Sequence, residues 1–222
     1  KPIYFYNNDK KIYISSEIRP INSIINSKIS NKGCSEYLTL GVSMENNTIL
    51  ENIKKVNPGE IIKFDKNNSV SSKKFFSSEF NKTKNYKINQ IENLLSRSIK
   101  SQIPNIKFGV MFSGGIDSSL LLAKTYKMTN FQSSFSVNIE DRNFSELQYQ
   151  KLVIKKFNLS KKSSFLNQRK EDFSIKNLKK VASRYDLPVI HPNFIGALKL
   201  TKEASRSGLK VLLSGEGADE IF

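Results

Sequence analysis

The apolar positions change period along the 222-residue chain, and the changes divide it. In the first eighty residues the aromatic and β-branched runs are short. Ile3-Tyr4-Phe5-Tyr6 and Lys11-Ile12-Tyr13-Ile14 flank Asn7-Asn8-Asp9-Lys10, whose turn-forming residues predict a hairpin. Pro58-Gly59 leads into Glu60-Ile61-Ile62-Lys63-Phe64, and Asp65-Lys66-Asn67-Asn68 turns the chain toward Val70 and Phe75-Phe76, predicting a second strand pair. The whole stretch reads as strands and turns. A polar run from Phe76 to Tyr86 then reads as a linker, which gives two regions, 1–80 and 81–222.

From Ile88 the spacing becomes helical. Ile88, Ile91, Leu94, Leu95 and Ile99 share one face of a helix that stops before Pro104. Strand and helix patterns alternate from there. Phe108 to Phe112 reads as a strand, Ser118 to Met128 as a helix, Phe131 to Ile139 as a strand, and Ser145 to Phe157 as a helix opened by a Ser145/Gln148 capping box. Phe173 to Tyr185 and Phe194 to Ser207 read as helices, Gly208 as the residue that ends the second, and Val211-Leu212-Leu213 as a buried strand. Such alternation predicts an α/β fold, a parallel sheet with flanking helices.

Two loops in this region carry chemistry. The first, Ser113-Gly114-Gly115-Ile116-Asp117-Ser118, joins a strand to a helix. Its glycines let backbone N–H groups approach phosphate oxygens, and the helix start adds partial positive charge. Ser113 and Ser118 supply hydroxyls, and the Asp117 carboxylate suits an anion site only if a cation such as Mg²⁺ bridges it to phosphate. No Lys-Ser/Thr ending is present, so transfer of a γ-phosphate is disfavoured. The second loop, Ser214-Gly215-Glu216-Gly217-Ala218-Asp219-Glu220, follows the strand at Val211 to Leu213. In a parallel sheet both loops emerge at the carboxyl edge, where Asp117 and Asp219 are expected to share Mg²⁺ and Glu216 to stand nearer the reacting carbon.

Composition narrows the classes further. The net charge of +16 raises the question of nucleic acid, but the lysines are scattered in pairs such as Lys54-Lys55 and Lys161-Lys162, so a solvated surface and no nucleic-acid partner are expected. No apolar run approaches the ~18 residues that span a bilayer, and no secretory signal opens the chain, so no membrane association and a cytoplasmic setting are expected. Cys34 is the only cysteine, which excludes an intramolecular disulfide. A start at Lys1 and an end at Phe222, directly after a dense motif, lead to the expectation of a piece of a longer protein.

Phe112 to Ser119 and Leu213 to Phe222 resemble the two signature loops of the glutamine-dependent asparagine synthetases. Ser134-Phe135-Ser136-Val137 resembles the family strand that borders adenine, and Ser145-Glu146-Leu147-Gln148-Tyr149 the helix after it. Upstream, Lys1 to Tyr6, Ile14 to Glu17 and Asn57-Pro58-Gly59 look like the closing strands of the family's N-terminal-nucleophile glutaminase domain.

The resemblance implies an ATP-pyrophosphatase (adenine nucleotide alpha hydrolase-like) fold with ATP and Mg²⁺. In the implied reaction, ATP adenylates the β-carboxylate of aspartate with release of pyrophosphate, and ammonia from glutamine then gives asparagine and AMP. By matched position Phe112, Val137, Ser214 and Gly215 border the nucleotide, and Ser113 to Ser118, with Gly114 and Gly115, hold pyrophosphate. Asp117 and Asp219 bind Mg²⁺, and Glu216 faces the acyl-adenylate as a base toward ammonia. Homodimerisation of a full-length parent is one expectation.

The family's nucleophilic N-terminal cysteine is absent, so no glutamine hydrolysis by this chain is expected, and the family's later helices would lie beyond Phe222, so the piece alone is expected to be inactive. Relatives usually place a histidine pair within the stretch Asn158 to Ser163; the single histidine, His191, lies in Pro188 to Asn193, near the segment that often lines the acceptor pocket. This leaves open a related amidotransferase acting on a sugar acid or another carboxylate. More distant alternatives are a tRNA-modifying pyrophosphate-loop enzyme and a noncatalytic nucleotide-binding module.

Overall fold

The structure is a computed structural model that describes residues 2–8, 10–65, 68–77, 87–141, 145–185 and 193–218. It forms two compact units, residues 1–83 with 182–190 and residues 84–181 with 191–222. The linker expected at 76–86 lies, from residue 78 onward, outside the described residues.

In the first unit, β1 (Tyr4–Asn7) and β2 (Ile12–Ser15) form the expected antiparallel hairpin, and β3 (Lys54–Lys55) pairs along the other edge of β1. Two helices intervene where strands and turns were expected: α1 (Ile18–Ile25) and α2 (Asn31–Leu40). Helix α1 forms because Ile18 and Ile21, one turn apart, bury against Tyr4 and Ile53, while Pro20 falls in the first turn, where backbone amides lack partners anyway. Ser30 caps α2 by accepting the Gly33 N–H at 3.1 Å. The signals were present but brief, with only two buried positions in each helix. The second expected pair also forms, as β4 (Glu60–Phe64) against β5 (Val70–Lys74), and the Phe64 ring packs edge-on against Phe5 at 5.6 Å.

The second unit runs through α3 (Ile88–Gln102), β6 (Phe108–Met111), α4 (Ile116–Thr125), β7 (Phe131–Ile139), α5 (Leu147–Lys156), β8 (Ser163–Gln168), α6 (Ile175–Ala182), α7 (Asn193–Arg206) and β9 (Leu212–Leu213). Its sheet has the order β8-β7-β6-β9 with all neighbours parallel, as the alternation predicted. Phe108, Val110 and Phe112 are fully buried on one face with Ile99 of α3, Leu121 and Leu122 of α4 and Ile154 of α5. Phe135 buries with Ala204 of α7 and with Leu209 in a separate cluster. Helices therefore cover both faces.

Strand β8 was not anticipated, because Ser-Ser-Phe-Leu-Asn-Gln carries little apolar signal. Its partner β7 supplies polar complements: the Ser134 and Ser163 hydroxyls bond at 2.8 Å, and Asn138 Nδ2 donates to Asn167 Oδ1 at 3.2 Å. The expected Ser145/Gln148 capping box does not form. Helix α5 starts at Leu147 with Glu146 as its N-cap, and Ser145, one residue further out, donates its Oγ–H to Asn138 Oδ1 at 2.8 Å while the same oxygen accepts the Leu147 N–H at 3.4 Å. Gly208 ends α7 as expected, at φ +76°, with its N–H bonded to the Ser205 carbonyl and that of Leu209 to Ala204. Among the described residues no helix is long and apolar enough to cross a membrane.

Candidate functional site

The strand order reverses between β6 and β9: the chain steps from β6 out to β7 and β8, then returns to place β9 on the opposite side of β6. In open parallel sheets the loops leaving two such strands diverge and leave a crevice at the carboxyl edge. The loops that leave β6 and β9 are the two singled out in the sequence, Ser113–Ser118 and Ser214–Glu220, the second described as far as Ala218.

The first loop is organised by its serines. Ser113 Oγ and Ser118 Oγ lie 3.0 Å apart, the Ser113 N–H donates to Ser118 Oγ at 3.2 Å, and the Gly115 N–H donates to Ser113 Oγ at 3.2 Å. Gly114 turns the chain at φ +96°, a conformation that side-chain-bearing residues rarely adopt. Helix α4 begins immediately afterwards with Gly115 as its N-cap, and its first helical bond is Ser119 N–H to Gly115 carbonyl at 3.0 Å. The amides of Ile116, Asp117 and Ser118 precede any helical carbonyl partner, and the positive end of the helix dipole falls on them. Asp117 is half-buried in this first turn, and its carboxylate takes no ion pair or side-chain hydrogen bond among the described residues.

The second loop approaches closely. A Cβ built on Gly215 would stand 3.0 Å from the Ser118 nitrogen, so the two loops meet main chain to main chain. Ser214 Oγ accepts the Glu216 N–H at 3.2 Å, and Gly217 turns at φ +98°. Glu216 is exposed. Asp219, Glu220 and His191 lie outside the described residues.

Of the residues expected to border a nucleotide, Phe112 is buried in the core at the end of β6, where its N–H donates to the Phe135 carbonyl at 2.8 Å. Val137 is half-buried near the end of β7, and its methyl groups lie against Gly196 of α7. Gly196 is in turn crowded by Gln168 at the end of β8. Lys199, one turn further along α7, donates to the Asn167 carbonyl at 2.7 Å and to the Asp172 carboxylate. Burial pushes the Asp172 carboxyl up, but the Lys199 hydrogen bond, the Arg169 N–H and the charges of both cations outweigh it, and the group sits below the usual carboxylate range.

One residue was missed. Gln150 of α5 is buried, and its Nε2 donates both to the Ser113 carbonyl at 2.9 Å and to the Val137 carbonyl at 3.0 Å. A signal existed, since Gln150 stands four residues before Ile154 on the inward face of α5, where an apolar residue is the rule.

The arrangement brings together an amide-lined helix start, a glycine loop and a carboxylate with no partner among the described residues, donor types that suit a polyanion and its cation.

The family model described as asparagine synthase matches residues 90–222, and that described as glutamine amidotransferase domain matches residues 1–76. Among curated proteins, the glutamine-hydrolysing asparagine synthetase 1 of Bacillus subtilis (strain 168) is 25% identical over 227 residues, covering 100% of this chain and 35% of the relative. A relative from Methanocaldococcus jannaschii, provisionally given the same name, is 27% identical over 229 residues, covering 100% of this chain and 40% of its own length. The chain thus spans well under half the length of these relatives. Among solved structures, an NH3-dependent NAD synthetase from Campylobacter jejuni overlaps with a TM-score of 0.36 at 15% identity, covering 55% of this chain and 54% of that one.

Proposed function

The chain belongs to the asparagine synthase family, and on that premise we propose that it contributes the nucleotide crevice of an ATP-dependent, amide-forming ligase. The observation that carries this reading is the contact of Gly215 with Ser118, which joins the two loops at the switch point of the sheet. The relatives' names support asparagine synthesis as the specific reaction. A β-carboxylate oxygen of aspartate attacks the α-phosphorus of ATP, the bond to the β-phosphate oxygen breaks, and pyrophosphate leaves. Ammonia, supplied from glutamine, then attacks the acyl carbon of the adenylate, and AMP departs with the electron pair of the broken C–O bond.

In this reading the free amides at the start of α4, with the Ser113 and Ser118 hydroxyls, receive the β- and γ-phosphates that leave as pyrophosphate. The hydroxyls now bond to each other and exchange that partner for phosphate oxygens. Val137, Ser214 and Gly215 border the rest of the nucleotide, with Phe112 as the floor of the strand beneath. Glu216, exposed on the second loop, takes in this reading a proton from the attacking ammonia.

Mg²⁺ fits this donor set. Magnesium is commonly held by one or two carboxylates plus substrate phosphates, and Asp117 offers a carboxylate with no competing protein partner among the described residues. Those residues contain no cluster of three or more metal-ligating side chains, so phosphate oxygens, and Asp219 as second carboxylate, would complete the shell. When bound, the ion neutralises charge on the phosphates.

The test is an assay of the full-length protein with ATP, Mg²⁺, ammonia and a panel of carboxylates that includes aspartate and sugar acids. Pyrophosphate release that depends on aspartate, with asparagine as product, is the expected result. Release dependent on a sugar acid instead would assign the acceptor to cell-surface polymer chemistry, and no release with any acid would end the ligase reading.

A further inference from the structure

We propose that Gln150 is a positioning residue of the crevice: its side-chain amide clamps the carboxyl ends of β6 and β7 together and fixes the turn at Gly114. The inference rests on the nucleotide reading of that crevice and adds a residue to it.

The backbone ladder shows why a clamp is needed there. The Phe112 N–H to Phe135 carbonyl bond, 2.8 Å, is a regular parallel rung between β6 and β7. A continued ladder would next bring the Gly114 N–H to the Val137 carbonyl. The chain turns away at Gly114 instead, at φ +96°, and the Gln150 Nε2 takes the Val137 carbonyl at 3.0 Å. Its second proton goes to the Ser113 carbonyl at 2.9 Å, on the other strand's extension. One planar amide thereby sets the spacing between the phosphate loop and the strand that carries Val137.

Packing enforces the same geometry. A Cβ on Gly114 would meet Gln150 Cγ at 3.0 Å, so the turn is seated directly on this side chain. The residue is 1% exposed, yet among the described residues its Oε1 has no hydrogen-bond partner. A methionine would fill the same length of space and bring no acceptor of its own, but it would take the donor from the Ser113 and Val137 carbonyls. What glutamine adds over methionine is the pair of N–H bonds, retained despite the cost of a buried, unsatisfied acceptor.

Gln150→Met and Gln150→Glu in the whole chain separate the clamp from mere filling. The first keeps the volume and removes both donors; the second sets carboxylate oxygens against the two carbonyls. The readouts are amide hydrogen exchange by segment, thermal midpoint, and calorimetric binding of Mg·ATP and of inorganic pyrophosphate. The expected result for Gln150→Met is faster exchange confined to residues 112–118 and Mg·ATP binding weakened about tenfold, ~1.4 kcal/mol, with the thermal midpoint little changed. Gln150→Glu is expected to lose more. Wild-type exchange and affinity in Gln150→Met would overturn the proposal, and so would a loss of protection spread evenly over the unit, which would mark the residue as structural only. Failure of the unaltered chain to bind either ligand would overturn the nucleotide reading and the role of Gln150 with it. That failure shows before any substitution is made and is therefore distinct from failure of the Gln150 arm.

Discussion

Gly215 lies with its Cα against the backbone of Ser118: a methyl group added there would stand 3.0 Å from the Ser118 nitrogen and 3.1 Å from the carbonyl carbon of Asp117. Both atoms are main chain in the first turn of α4, which cannot swing aside as a side chain can. Gly215→Ala is therefore expected to force the two loops apart, with a stability loss of about 1–3 kcal/mol from overpacking. Mg·ATP binding should weaken by roughly tenfold. Thermal unfolding and calorimetry measure the two effects, and unaltered affinity would show that the loops do not act together.

Asp117 caps no backbone amide and pairs with no described side chain, so its removal should disturb the fold little. The loss of a negative charge at the helix start is expected to cost about 0.3–1 kcal/mol. Function should respond far more strongly. In the full-length protein Asp117→Ala is expected to abolish pyrophosphate formation and the gain in ATP affinity that Mg²⁺ gives the wild type. Wild-type rates in that variant would sink the metal assignment.

The Asp172 carboxyl, held below its ordinary range by Lys199 and Arg169 against the effect of burial, makes stability depend on pH in a defined direction. A carboxylate with a depressed folded-state pKa adds stability above its unfolded value, and that contribution fades as pH falls through the folded value. Wild type should therefore melt above Asp172→Asn at neutral pH, with the gap closing only at pH below the ordinary aspartate range. A gap that stays constant into that acidic window would show that the ion pair with Lys199 contributes nothing through its charge.

Much of this architecture was legible in the chain. The change from short β runs to helical spacing at Ile88, and the strand-helix alternation after it, predicted the parallel sheet with flanking helices that β6, β7 and β9 form. What escaped were elements whose signal is tertiary. Strand β8 is polar because its Ser163 and Asn167 meet Ser134 and Asn138, and that complementarity exists only once the strands are side by side. Helix α1 needs Tyr4 and Ile53 to bury Ile18 and Ile21, two of its four isoleucines, and neither is near it in sequence.

For the site the division is similar. Residue order alone determined the two chemical loops: glycines, hydroxyls and carboxylates at fixed spacing after apolar strands are local properties of the chain. Only the tertiary structure decided that the loops touch, because β9 must return to the far side of β6 before Gly215 can reach Ser118. It also decided that Gln150, thirty-seven residues from Ser113, donates to that loop. A hydrogen bond between remote segments is set by how helix α5 packs on the sheet, and no spacing along the chain encodes that distance directly.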